Sequence, residues 1–387
     1  MTKDELKQAI KLYKSLQCPS GTMDIINDIL PYQKAWNVLL SQRARGKTTN
    51  LLLWGLCLHS VVGTQIQYIR QRDSQLVPKL CGKLCDVINT RKYKYIEKIT
   101  NGRYNNLYYY GRKWYYRLID DEGEVVDKSD TPVISCCAID QNENLKSVYN
   151  APTGDLIIVD EFLTRQGYLA DEFVLLNDLL STIIRDRDTA SIYLVGNMID
   201  QYSIYFNELY ITDIVKEMTW GEHRNVNCGG TELHIYTLPL DTSEKRKHIN
   251  KKYFGWKNQM LTSITGNNGM WQLKNYPKAP KGEYTILDKA YIYKNGKYCA
   301  RELRLDDTNH VYVMIYSDNY GYDPTRHILY TVTSNTGYSN TVRFGMGYSR
   351  TDECIKRLIL AKRVFYSDNS CGDFLDSYIR DINTYKR

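Results

Sequence analysis

The feature that most constrains this chain is the run from Ala35 to Leu58, a short apolar stretch, a loop ending in Gly46-Lys47-Thr48, and a helical pattern. Ala35 to Leu40 reads as a buried strand, and Thr48 to Leu58 as a helix with Leu51, Leu52 and Leu56 on its apolar side. A loop of this kind suits phosphate. Glycine lets backbone amides approach phosphate oxygens, lysine reaches the outer phosphates, and a hydroxyl sits on Mg²⁺. Gly46, Lys47 and Thr48 supply these in order, with Thr49 beside them. The usual pattern opens with a further glycine, and here Ser41 stands in that place. A bare Gly-Lys-Thr is also compatible with an ordinary turn before a helix, so a second motif has to decide.

That motif is Leu156-Ile157-Ile158-Val159-Asp160-Glu161-Phe162, an aliphatic run closed by two carboxylates. A central parallel strand is buried on both faces and reads as a continuous apolar run. Ligands of open α/β sheets sit at its carboxyl end. Together with the upstream loop it looks like a Walker B strand, in which Thr48 and Asp160 hold Mg²⁺ and Glu161 is the general base toward water. Alone, the acidic pair is equally the start of a solvated loop.

A chain of 387 residues exceeds one typical core, which sets an expectation of two domains. The formal charge of +7 is too small to establish nucleic-acid binding. Ten cysteines without a CxxC pair and scattered histidines give no zinc pattern, and Cys57, Cys136 and Cys137 fall in apolar elements suited to free thiols. The N-terminus lacks an apolar signal core, and no run approaches the roughly 18 apolar residues of a membrane span, so a soluble intracellular protein is expected.

Several further residues invite functional reading. Gln33, in Pro31-Tyr32-Gln33, is a candidate adenine contact, with turn packing as the alternative. Arg70 and Arg72 follow the strand Gln65 to Arg70, which places them near phosphate or a polynucleotide, or in a solvated loop. Between Arg91 and Arg117 basic residues interleave with tyrosines around Gly111; Arg112 and Lys113 suit phosphate contact, while the alternation equally suits a hairpin. Asp171 to Ile184 reads as a helix ending in Arg185-Asp186-Arg187. Ser191 to Val195 is a strand running into Gly196-Asn197, where Asn197 can sense a γ-phosphate or hold the water. Asp241 to Gln259 is a charged helical stretch without a strong apolar face, and the alternation of the last third predicts a second α/β domain.

With these motifs the chain resembles the DNA-packaging (encapsidation) ATPases of small short-tailed bacteriophages, Picovirinae type, relatives of the terminase large subunit. The resemblance rests on Asn144-Leu145-Lys146-Ser147 through the Walker B strand to Ile184-Arg185-Asp186-Arg187 and Gly196-Asn197. It rests also on Ser41 to Thr48, similar to the terminase loop that lacks the first glycine and carries an arginine at Arg43. It implies an additional-strand-conserved-glutamate P-loop domain, RecA-like with a mostly parallel sheet (1–226), a small helical linker (227–265) and an RNase H-like domain (266–387). It further implies ATP-driven translocation of double-stranded DNA by a pentameric ring at the portal of a prohead in the host cytoplasm, with a packaging RNA in some relatives. Lys146 and Arg185 are the implied trans-acting residues, with Arg187 as substitute. For the second domain, Val311 to Ser317 is taken as the first strand; it carries no acid, and Asp318 and Asp323 lie beyond it, so a nuclease is not expected. Lys281, Lys289, Lys294 and Arg301 are candidate grips for portal, DNA or RNA. An active terminase nuclease, a non-catalytic adaptor and a helicase remain the rival readings.

Overall fold

The computed structural model describes residues 1–141, 154–164, 167–199, 203–241, 248, 251–252, 276–279, 281–294, 296–331, 341–343 and 350–384. It divides into two compact units. The first comprises Met1–Leu163, Asp171–Met198 and Lys216–Tyr253; the second comprises Thr164–Ala170, Ile199–Val215 and Phe254–Arg387.

The first unit is built on ten strands: β1 (Trp36–Ser41), β2 (Ile66–Arg70), β3 (Asn106–Tyr110), β4 (Lys113–Ile119), β5 (Val125–Lys128), β6 (Ile134–Ala138), β7 (Leu156–Asp160), β8 (Ser191–Asn197), β9 (His223–Cys228) and β10 (Thr231–Thr237). Their order is β3-β4-β6-β2-β7-β8-β1-β10-β9, with β5 on β4. From β6 to β10 every neighbouring pair is parallel. The phosphate-loop strand β1 and the acidic strand β7 are therefore separated by β8. This inserted strand is the additional strand the resemblance implies, so the expected P-loop architecture is present.

Every residue of β7 is buried, which is why its sequence is apolar without alternation. Helix α2 (Lys47–Val62) is apolar nearly all round for the same reason, being buried continuously from Asn50 to Leu58. Its outer side is covered by α1 (Lys3–Ser15), where Tyr13 meets Trp54 edge to face at 5.8 Å. The start of α1 is set by Thr2 and Glu5, whose side chains each accept from the other's backbone N–H. Helices α3 (Pro78–Ile88) and α4 (Tyr95–Ile99) precede the β3–β4 hairpin, and α5 (Glu172–Ile184) connects β7 to β8.

The first sheet does not stop at residue 226. Strands β9 and β10 form an antiparallel hairpin, and β10 pairs in parallel with β1 from Trp36↔Leu233 to Leu40↔Thr237. The stretch assigned from sequence to the beginning of a linker thus belongs to the first unit. Most of the charged stretch that follows lies outside the described residues.

In the second unit the strands are β11 (Tyr284–Lys294), β12 (Lys297–Asp306), β13 (Val311–Ser317), β14 (Leu329–Thr331), β15 (Thr341–Arg343) and β16 (Val364–Tyr366). Helices α6 (Ile204–Glu208), α7 (Arg350–Leu360) and α8 (Asn369–Thr384) accompany them. The sheet order is β15-β14-β11-β12-β13-β16. Strands β11 to β13 form an antiparallel meander, while β14 is parallel to β11 and β15 to β14. This is the arrangement expected of an RNase H-like domain. Val311–Ser317 is its third strand, however, not the first. The first is β11, which runs continuously through a register shift between Ile286 and Asp288. One face packs Ile292, Cys299, Leu303, Val313 and Ile315 against Phe374 and Leu375 of α8.

Candidate nucleotide site

The carboxyl ends of β1, β7 and β8 converge on the start of α2. Gly46 precedes that helix with φ +68°, and a Cβ there would lie 2.8 Å from the Cβ of Thr22, so the position requires glycine. Ala44 also has positive φ, +63°. The Lys47 ammonium reaches back across the loop to Ser41 Oγ at 2.5 Å and to Asn197 Oδ1 at 3.2 Å. Burial pushes its pKa down to about 8, against the attraction of Asp160. The cation is thus held dehydrated at the sheet's carboxyl edge, where an anion would restore what solvent no longer provides.

Thr48 Oγ1 donates to Asp160 Oδ1 at 2.8 Å. A hydroxyl and a carboxylate this close form a hard-oxygen pair of the type Mg²⁺ takes while keeping several waters. Both residues therefore fit the metal. The other oxygen, Oδ2, accepts from the Tyr68 hydroxyl at 2.7 Å and from Arg70 Nη1 at 3.1 Å. Burial, with the Asp160 charge beside it, keeps the Tyr68 phenol protonated. Glu161 follows immediately with φ +56°, uncommon for a residue with a side chain. Its side chain is 57% exposed, and Oε2 accepts from Arg70 Nη2 at 2.5 Å.

Two solved structures share this architecture at low identity. The DNA packaging motor of Phi-28 (gp11) matches with a TM-score of 0.51 and 14% identity, covering 91% of this chain and 96% of that one. The viral genome packaging motor assembly of bacteriophage Phi-29 matches with a TM-score of 0.53 and 15% identity, covering 94% and 100%. The chain has the fold of a phage packaging motor. No protein-family model and no curated protein matches the sequence.

Within this packaging-motor fold the remaining candidates fall into separate places. Arg43 is exposed on the phosphate loop, whereas Arg45 is buried and faces Asp241 at 4.0 Å. Thr49 is half-buried on the first turn of α2. Gln33 does not belong to the site: its Nε2 donates to Ser191 Oγ at the amino end of β8. The length of β1 separates it from the loop, about 20 Å at strand rise. Arg185 is exposed at the end of α5, with Nε on Thr182 O at 3.2 Å, while Arg187 is tied to Asp155 at 3.0 Å. Both lie toward the amino ends of the strands, away from their own chain's phosphate loop. Lys146 lies outside the described residues.

The nucleic-acid candidates also divide. Arg70 is no surface residue; its side chain is 12% exposed and held by the two acids. Arg72 is half-buried, Arg112 pairs with Asp73 at 2.7 Å, and Lys113 is exposed. In the second unit Lys294 and Arg301 are 1% and 4% exposed, too buried to grip a partner, and Lys289 is paired with Asp318. Only Lys281 of that group is exposed. Sequence reasoning missed Tyr68 altogether. It also missed the segment 18–24, which Asn50 Nδ2 binds at Thr22 Oγ1 (3.0 Å) and Met23 O (2.6 Å), and which Met23 N ties to Arg45 O. That segment borders a cleft of about 300 Å³ with Tyr13, Ile26 and Asn27.

Proposed function

We propose that this chain is an ATP-hydrolysing motor subunit that drives double-stranded viral DNA into a preformed prohead. The observation that carries the reading is the convergence of Lys47, Thr48, Asp160 and Glu161 at the carboxyl ends of β1 and β7. Lys47 would leave Ser41 and Asn197 for the outer phosphates, with backbone amides of residues 43–48 around them. Thr48 and Asp160 would hold Mg²⁺, which when bound neutralises charge on the transferring phosphoryl group. Glu161 would take the proton of the attacking water, and Asn197, beside Lys47, would orient that water or the γ-phosphate. The cleft lined by residues 18–24 replaces Gln33 as the place for the base.

The trans-acting residue is assigned to Arg185, because its guanidinium is exposed while Arg187 is engaged by Asp155. This calls for a ring, taken as a pentamer, on the portal of the prohead, with a packaging RNA as a further partner. Among the nucleic-acid candidates Arg112 is paired with Asp73 and Lys113 is exposed, which makes Lys113 the first DNA contact to test, while Arg43 on the phosphate loop keeps its place as a catalytic candidate. Nuclease activity is not assigned to the second unit. The earlier ground, an acid-free first strand, no longer applies, since β11 carries Asp288; that acid is neutralised by Arg301 at 2.7 Å.

The test is ATP turnover by wild type and Glu161→Gln, with and without double-stranded DNA and proheads. Turnover in wild type, with a variant that binds ATP but does not hydrolyse it, supports the reading. A wild type that binds no ATP under any condition refutes it and leaves a non-catalytic adaptor.

A further inference from the structure

At the amino ends of β7 and β8, the far end of the first sheet from the phosphate loop, lies a cleft of about 450 Å³ that the hydrolysis outlined above does not use. Trp54, Leu58 and Val62 of α2 wall it on one side, and Leu156 of β7 with Tyr193 of β8 on the other. Small-molecule sites have this size and this character, mostly apolar with a few placed polar groups. Here the polar groups are Tyr193, Gln33 and Ser191. Tyr193 is fully buried, and its hydroxyl has no hydrogen-bond partner among the described residues. Burial alone raises its pKa. A buried hydroxyl left in this state costs stability that an acceptor entering the cleft would recover. Gln33 Nε2 donates to Ser191 Oγ at 2.7 Å, which fixes the amide and leaves its carbonyl oxygen for an occupant.

Charge narrows the occupant further. Among the described residues no lysine, arginine or histidine lines the cleft, whereas the carboxylates of Glu5 and Asp155 do. Asp155 is paired with Arg187, and Glu5 adds a second negative charge, so a phosphate- or carboxylate-bearing molecule is disfavoured, a nucleotide included. The aromatic side chains of Trp54 and Tyr193 favour a ring system over an aliphatic chain.

From the unpartnered hydroxyl in an apolar, anion-excluding cleft we infer a second binding site, for an uncharged aromatic heterocycle whose ring nitrogen or carbonyl accepts from Tyr193. Gln33 orients that ring by accepting from a donor at its edge. The inference does not rest on the ATPase reading, and the length of β1 separates this site from the phosphate loop.

The probes are quinoline, which carries a ring-nitrogen acceptor and is uncharged at neutral pH, and naphthalene, which has the same shape without the acceptor. Binding of each to the full chain is measured by equilibrium dialysis, with melting temperature followed alongside. Tyr193→Phe keeps the ring and removes only the hydroxyl, so it should melt no lower than wild type. In this variant the affinity for quinoline relative to naphthalene is expected to fall about three- to tenfold, the factor for one lost hydrogen bond. Val62→Trp fills the cleft from α2 and should abolish binding of both probes; it carries the test if the Phe variant does not fold. A saturating non-hydrolysable ATP analogue should leave bound quinoline in place. A wild type that holds neither probe, an unchanged affinity ratio in Tyr193→Phe, or probes retained by Val62→Trp overturns the inference. Displacement of quinoline by the analogue also overturns it, since the probe then occupies the nucleotide site.

Discussion

Lys47→Met should make the nucleotide-free protein more stable while removing its ability to bind ATP. Lys47 is 7% exposed, and burial lowers its pKa from 10.5 to about 8 even after the attraction of Asp160 is counted. Below pH 8 the ammonium is protonated in folded and unfolded chains alike, so the folded state carries the whole difference as a penalty. A shift of this size corresponds to about 3 kcal/mol at 1.36 kcal/mol per pH unit. Methionine removes the charge and fills a similar volume. It removes the ammonium's bonds to Ser41 Oγ and Asn197 Oδ1, while Ser41 Oγ still donates to Gln42 O, a loss of about 1–2 kcal/mol. The net gain is about 1–2 kcal/mol, which for a unit of this size raises the melting temperature by about 2–8 °C. Thermal denaturation of wild type and variant at pH 7 without nucleotide reads it directly, with calorimetric titration of an ATP analogue as the functional arm. A variant that melts at or below the wild-type temperature would refute the claim that the loop holds a destabilising, dehydrated cation.

Thr48→Val keeps shape but removes the hydroxyl on Asp160 Oδ1; Mg²⁺-dependent turnover should fall by a factor of about ten or more, corresponding to at least one charge-assisted hydrogen bond, whereas metal-free analogue binding should change much less. Gly46→Ala places a Cβ 2.8 Å from that of Thr22 at φ +68°, so a stability loss of about 1–3 kcal/mol, read as a lower melting temperature, is expected together with lost nucleotide binding. His234 is fully buried beside His223 and near Lys34, and its pKa is depressed to about 4, mainly by burial. The folded state therefore keeps it neutral while the unfolded chain protonates it. The stability this group contributes is fully present above pH 6.5 and is lost as pH falls toward 4, by about 3 kcal/mol. Denaturant melts across that range should show the loss in wild type and much less of it in His234→Phe.

The elements that were legible in the sequence are those whose burial is dictated by local pattern. The run Leu156 to Val159 is apolar without interruption and Ala35 to Leu40 is apolar apart from Asn37, because both strands are covered on two faces, and each leads into the residues of the candidate site. Strands β9 and β10 went unread although Gly229-Gly230 between them is a two-residue hairpin signal. Their sequence His-Arg-Asn-Val-Asn-Cys is polar because β9 is an edge strand with a half-exposed pattern. Helix α3 carries a local signal as well, with Pro78 at its first turn and Cys81, Cys85 and Ile88 on one buried face. The misplacement of Gln33 has another cause. Proximity along the chain put it near the phosphate loop, but a six-residue strand carries the chain from one edge of the sheet to the other.

The Arg70 bridge could not be read from sequence, because it depends on strand adjacency. Arg70 and Glu161 are 91 positions apart and meet because β6, β2 and β7 are neighbours, an order no local pattern encodes. The same crossing explains why Ser41 can replace the glycine expected at the head of the loop. Ser41 lies opposite Asn197 on β8, and both side chains bind the Lys47 ammonium. A side chain at this position therefore points to the lysine without obstructing the loop. The backbone departures fall elsewhere, at Ala44, Gly46 and Glu161, each with positive φ. They flank the lysine and the acids that the chemistry requires, and it is the surrounding pairs, Asn50 with Thr22 and Arg70 with Glu161, that hold the loop and the glutamate in place. Loss of either pair should relax a different part of the site: the first the loop proposed to receive phosphate, the second the carboxylate proposed to take the proton of the attacking water.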